Sequence, residues 1–146
     1  MTVTNSQIRL HNKLTGAAIS TVPEHGVGGF WTPVLPAGST GAFDPHVLYD
    51  PFSGRWMFTV ASDGEKSDSS VCIATSQTND PSGTWNLFRF DVDSADTLWA
   101  DYPMLGFNKD WIFVSLNMFT MSNNSFSRGQ IYVFNKANLN AGSGCR

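Results

Sequence analysis

Asp44 and Asp101 each stand one or two residues before a proline at the head of an apolar, strand-like run, in Phe43-Asp44-Pro45-His46-Val47-Leu48 and Ala100-Asp101-Tyr102-Pro103-Met104-Leu105. Carboxylates at the starts of neighbouring strands can converge on one pocket. Hydrolysis of a glycosidic bond requires such a pair of carboxyl groups, ~5–5.5 Å apart for retention of configuration and ~6.5–9.5 Å apart for inversion. The competing assignment for both residues is that they accept backbone amides and cap their strands. His46 follows Asp44 by two residues, so in a strand it projects to the same face and can position a sugar hydroxyl. A lone histidine is more commonly a hydrogen-bonded strand residue, and neither His11 nor His25 stands at a metal-ligand spacing from it, so no metal is expected.

Other chemistries find no purchase. Gly26-Val27-Gly28-Gly29 lacks the lysine and the following helix of a phosphate loop, and no Gly-x-Ser-x-Gly nucleophile motif occurs, so no cofactor is expected. Aromatic residues are the remaining candidates for ligand contact, because the C–H-rich faces of pyranose rings pack on indole. Trp56, Trp85 and Trp111 fall within strand patterns and are expected in the core. Trp31 and Trp99 fall in loops and are expected as sugar platforms, with Tyr102 beside Asp101 as a further substrate contact.

The elements that must position these residues are strands. Ser6 to Ser20 reads as a hairpin, with Ile8 and Leu10 alternating with polar neighbours. Val22 to Gly41, broken by Pro23, Pro33, Pro36 and several glycines, is a crossing segment. Four strands then follow in succession: His46 to Asp50, Arg55 to Ala61, Val71 to Ser76 and Thr84 to Phe90. The tight turns Pro51-Phe52-Ser53-Gly54 and Asn79-Asp80-Pro81-Ser82-Gly83 punctuate them. Three more strands are predicted at Met104 to Phe107, Trp111 to Leu116 and Gln130 to Phe134, and Asn135 is placed to cap one helical turn, Lys136 to Leu139.

The Asp-Pro openings recur after 101 − 44 = 57 residues, and four-stranded units repeating at about this length are the signature of β-propeller blades. The expectation is therefore an all-β chain of about two and a half four-stranded antiparallel blades, with residues 43–91 a full blade, residues 100–139 a partial one and 1–146 a single domain. That count falls short of the roughly four to eight blades that close a propeller. Self-association into a dimer of about five blades is expected to cover the open edges, the alternative being that the chain is a piece of a longer propeller.

Composition narrows the partners. With 146 residues, 41% of them hydrophobic, the chain can bury one sizeable core. Its net charge of −3 and scattered basic residues offer no electrostatic footprint for nucleic acid or an anionic membrane. No run approaches the ~20 apolar residues of a membrane span, and Met1 to Ser6 has neither the basic nor the apolar region of a signal peptide. Cys72 and Cys145 allow at most one intramolecular bridge, and Cys72, inside an apolar strand, is expected as a buried free thiol.

The run from Phe43 to Trp56, followed by Cys72-Ile73-Ala74-Thr75-Ser76, Asp80-Pro81-Ser82-Gly83 and Asp101-Tyr102-Pro103-Met104-Leu105-Gly106, resembles the opening blades of a group of large, mostly secreted bacterial propeller proteins of ill-defined function. The resemblance spans about Asn5 to Leu139 and implies an extracellular location. The same blade grammar is more distantly similar to the five-bladed glycoside hydrolases of the arabinanase, xylosidase and invertase type. In those enzymes an Asp opening one inner strand is the base, an Asp opening the next blade tunes its pKa, and a Glu on a further blade is the acid. Asp44 and Asp101 match the first two by position, and for the acid the chain offers Glu24 and Glu65, nothing acidic following Asp110. The turn Thr78 to Trp85 is similar to the Asp-box of sialidases with its glycine displaced by one residue, a motif that builds the blade rather than the chemistry. These resemblances imply a carbohydrate-active protein, a possible glycoside hydrolase, or else a non-catalytic propeller segment that binds glycans or proteins.

Overall fold

Alternation of buried and outward side chains sets the strands, as in Trp111–Thr120, where Ile112, Val114, Leu116 and Met118 are buried and the residues between them face the other way. The computed structural model describes the whole chain except residues 25, 27 and 144–146. Its strands are β1 (Thr2–Val3), β2 (Gln7–His11), β3 (Ala18–Pro23), β4 (Ala42–Asp50), β5 (Arg55–Ser62), β6 (Ser70–Ser76), β7 (Trp85–Asp91), β8 (Leu98–Phe107), β9 (Trp111–Thr120) and β10 (Phe126–Asn135). One short helix, α1 (Lys136–Asn140), follows β10. The strands form three antiparallel sheets: sheet A, β1-β2-β3; sheet B, β4-β5-β6-β7; and sheet C, β8-β9-β10. The sheets do not close on one another.

Side chains of the turns satisfy the backbone where the strands reverse. Asp50 Oδ1 accepts the Phe52 N–H at 2.9 Å, while Gly54, at φ +67°, supplies the left-handed residue of the β4–β5 turn. Between β6 and β7, Asp80 Oδ1 accepts from the Ser82 N–H and hydroxyl at 2.9 and 2.7 Å, and the Trp85 indole N–H donates to the Pro81 carbonyl at 3.1 Å. The turn with the Asp-box pattern therefore serves the strand connection. Those two Ser82 hydrogen bonds also hold the Asp80 carboxyl below its usual range.

Sheet B is covered on both faces. On one, Met57, Val71 and Ile73 pack against Leu105, Ile112, Val114 and Leu116 of sheet C. On the other, Phe58, Val60, Cys72 and Ala74 meet Ile8 of sheet A and Trp31 of the crossing segment. Burial pushes the Cys72 thiol up to about 12, and its Sγ lies 3.8 Å from the Ser62 hydroxyl. Cys145 and His25 lie outside the described residues.

The helix ties sheet C to sheet B. Asn135 Oδ1 caps it, accepting the Asn138 N–H at 3.1 Å. Its carbonyls at Leu139 and Asn140 accept from Asn86 Nδ2 at 3.1 Å each, and Asn140 also accepts from Arg55 at 3.0 Å. At its first residue Lys136 is paired with Asp50 at 2.8 Å, both side chains buried. The Lys136 ammonium also donates to the Asn108 carbonyl and lies 4.8 Å from the Phe107 ring centre.

The structure corrects the sequence reading in four places. Trp111, expected in the core, is 42% exposed, because the alternation that buries Ile112, Val114 and Leu116 turns it to the outer face of sheet C. Trp31 is not a platform: it is 0% exposed, wedged 4.9 Å from Phe58 and 5.1 Å from Phe30. In a segment too rich in glycine and proline for a strand, that indole fills the space over sheet B which a strand would otherwise fill. Strands β8, β9 and β10 each run to ten residues, longer than turn chemistry alone indicated. The two-residue β1 was missed.

Candidate functional site

Two matching bulges build the site. In the β4–β5 ladder Phe43 pairs with Ala61 and His46 with Thr59, so Asp44 and Pro45 together oppose the single residue Val60. In the β8–β9 ladder Asp101 pairs with Asn117 and Met104 with Ser115, so Tyr102 and Pro103 oppose Leu116. Proline has no N–H for the ladder, and a bulge is one of the few places where a paired strand accepts it. The first bulge residue is left-handed in both, Asp44 and Tyr102 each at φ +52°. Non-glycine residues hold that conformation at a cost of about 1–3 kcal/mol, and only where their surroundings impose it.

The bulges also correct the repeat. Asp44 is equivalent to Tyr102 and Pro45 to Pro103, a spacing of 102 − 44 = 58 residues, and Asp101 is the counterpart of Phe43. The two aspartates therefore do not occupy like positions. They are nevertheless brought together, near enough for Asp44 to act on the Asp101 carboxyl. Asp101 is raised above its ordinary value, first by burial and then by the charge and hydrogen bond of Asp44, against the opposing pull of the Tyr102 N–H at 2.9 Å from its Oδ1.

Residues around the pair come from all three sheets. Asn5, between β1 and β2, accepts the Asp44 N–H on its Oδ1 at 2.9 Å and faces the Asp44 carboxyl with its Nδ2 at 3.5 Å. His46 Nδ1 accepts the Leu105 N–H at 2.9 Å, a bond from sheet B to sheet C that puts the imidazole proton on Nε2. Nδ1 is thus structural and Nε2 is the nitrogen left for a ligand. A groove of about 420 Å³ lies over Asn5, Asp44, His46, Tyr102 and Met104.

A second groove, of about 360 Å³, is lined by Phe43, Gly64, Glu65, Trp99 and Asp101. Trp99 stacks on Phe119 at 5.1 Å and is anchored by its indole N–H on Asn124 Oδ1 at 3.0 Å, which leaves it half-buried at the groove wall. Gly64 lets the β5–β6 loop cross Phe43, since a Cβ there would meet Phe43 Cζ at 2.9 Å. That passage brings Glu65, at φ +58°, to the groove.

Of the sequence-predicted residues, Asp44, His46, Tyr102, Asp101 and Trp99 line these two grooves, and Trp31 does not. Asn5, which no sequence pattern indicated, and Glu65, one of the two glutamates offered for the acid, join them. Glu24 is excluded as a site acid: it is 0% exposed, with no hydrogen-bond partner for its carboxyl among the described residues, and burial pushes it up to about 8. A larger hollow of about 580 Å³ lies between the β2–β3 hairpin and Trp56, but its only carboxylate, Asp80, is engaged by Ser82.

Among the described residues no three His, Cys, Asp or Glu side chains gather to hold a metal ion. Compared with known proteins, the chain matches no family model, no curated protein and no solved structure.

Proposed function

We propose that the three sheets are successive blades of a propeller and that the paired grooves bind a carbohydrate and hydrolyse its glycosidic bond. The observation that carries this reading is the Asp44–Asp101 pair, one carboxylate in each of two grooves walled by Trp99 and Tyr102. A blade arrangement is supported by the placement of the leading strands, β4 resting against both β1 and β8, and by the matched bulges of β4 and β8.

Acid and base on opposite sides of a bond are not assigned to this pair, whose carboxyl groups act on each other. It works instead as one unit. Asp44 takes the proton of a water whose oxygen attacks the anomeric carbon, and Asp101 beside it orients Asp44. Glu65, on the wall of the adjoining groove, is the carboxylic acid available to protonate the departing sugar oxygen. Trp99 offers its ring edge and face to a sugar, and His46 Nε2–H is free to donate to a hydroxyl.

A panel of nitrophenyl glycosides tests the reading. Turnover is expected with the wild-type chain, falling by about 10²-fold or more in Asp44→Asn. The second reading, a non-catalytic glycan-binding propeller segment, is favoured by Glu24, which is fully buried and lines neither groove. It stands instead if neither protein turns over any glycoside while both bind glycans in calorimetric titration.

The outer face of sheet C carries Met104, Trp111, Ile131 and Val133 exposed, which supports docking of a further sheet from a second copy. Light scattering at twice 16.0 kDa is the expected result, and a 16.0 kDa monomer removes the dimer.

A further inference from the structure

We propose that Asn5 is a positioning residue of the acid pair, its carboxamide gripping Asp44 at the backbone N–H and at the carboxyl so that this carboxyl is held against Asp101. The inference rests on the functional reading above and names the part that sheet A plays in it.

Three observations carry the inference. Asn5 and Asp44 are 39 residues apart in sequence, yet the amide meets both polar ends of Asp44, Oδ1 on its N–H at 2.9 Å and Nδ2 towards its Oδ1 at 3.5 Å. Asp44 is the residue whose left-handed φ of +52° needs an external hold, and its N–H, at a bulge, is spared from the ladder. The turn that carries Asn5 is itself fixed, the Thr4 N–H donating to the Gln7 carbonyl at 3.0 Å and the Gln7 N–H to Thr4 Oγ1 at 3.2 Å. Tyr102, the equivalent bulge residue of β8, has no such clamp among the described residues: its N–H turns back to the neighbouring Asp101 at 2.9 Å. The two bulges thus differ in the one contact that sheet A supplies, and the clamped one carries the carboxylate.

The other titratable groups facing the pair are His46 on β4, Tyr102 on β8 and Glu65 on the β5–β6 loop. The β1–β2 turn itself, Thr4-Asn5-Ser6, brings none. Releasing Asn5 therefore changes the pair without altering any charge around it.

The test is a carboxyl-carbon NMR titration of Asp101 in the full chain. In Asn5→Ala the Asp44 carboxyl is free to swing away, and the Asp101 midpoint is expected to fall by about 0.5–1 pH unit towards the ordinary carboxylate value. Asn5→Asp keeps the acceptor for the Asp44 N–H and adds a negative charge, so the Asp101 midpoint stays raised or rises further. Asn5 is exposed, so both variants are expected to keep the wild-type amide spectrum away from the grooves. An Asp101 midpoint unchanged in Asn5→Ala, or lowered in Asn5→Asp, overturns the proposal. The titration needs no substrate. A shifted midpoint beside an empty glycoside screen would sink the hydrolytic reading and leave the clamp, whereas an unshifted midpoint beside turnover would sink the clamp alone.

Discussion

Strand β4 carries two aspartates, Asp44 near its start and Asp50 at its end, that meet opposite fates. Asp50 is 0% exposed, yet its carboxyl lies below the ordinary range. Burial pushes it up, but hydrogen bonds from Lys136, Ser53 and the Phe52 N–H, together with the Lys136 charge, outweigh that push. Asp44, six residues earlier on the same strand, faces another carboxyl, and the partner it meets, Asp101, is raised. Burial alone does not set the sign of the shift; the charge and donors opposite the carboxyl do. One end of the seam between sheets B and C is therefore neutralised and serves to hold the sheets together. The other keeps an unfavourable pairing, which is the kind of local cost that concentrates at working sites.

Breaking the neutralised end gives the largest expected effect. Lys136→Met leaves Asp50 buried without its cation and is expected to cost about 3–5 kcal/mol in urea unfolding, with the Asp50→Asn/Lys136→Met double variant recovering part of the loss. A loss under about 1 kcal/mol would erase the contrast between the two ends. Because the folded pKa of Asp50 is depressed, its contribution is fully present above the unfolded value near 3.9 and is lost as pH falls through the folded value.

Glu24 sharpens the comparison as a carboxyl with burial and no partner. Its folded value of about 8 lies above the ordinary value of 4.5, so the folded state holds the proton longer and stability declines as pH rises from about 5 to about 8. Glu24→Gln is expected to match the wild type near pH 5 and to exceed it by about 1–3 kcal/mol at pH 9. Thermal unfolding at the two pH values checks this; equal stability at pH 9 would show that Glu24 finds solvent or a cation when ionised.

The smallest effect belongs to the acid pair. Asp101 is also raised, so its favourable contribution is present below the ordinary carboxylate value and is lost as pH rises through the folded one. At pH 7 Asp101→Asn removes the like-charge repulsion and should raise the unfolding midpoint by about 1–4 °C. The same substitution is expected to depress glycoside turnover. A lowered midpoint with turnover intact would make Asp101 a strand cap and nothing more.

Much of the architecture was legible because turn chemistry is local. Asp50, Asp80 and Asn108 each satisfy backbone donors within three residues, and the β4–β5, β6–β7 and β8–β9 connections fall where those residues stand. The helix cap at Asn135 was legible for the same reason. What escaped was set by distance along the chain. The bulges depend on proline against a partner strand, so the visible Asp-to-Asp spacing of 57 concealed a structural period of 58. Trp31 lies in a sequence with every mark of a surface loop, and only sheet B beneath it makes it core. Asn5 is an unremarkable turn residue until β1 settles beside β4.

Every residue of β6 is buried, because sheet A with its crossing segment closes one face of sheet B and sheet C closes the other. No local fraying can expose such a strand while its neighbours on either side stay in place. Its amide hydrogens can therefore trade with solvent deuterium only when the stack as a whole comes apart, which makes β6 the internal clock by which opening of the entire molecule is read.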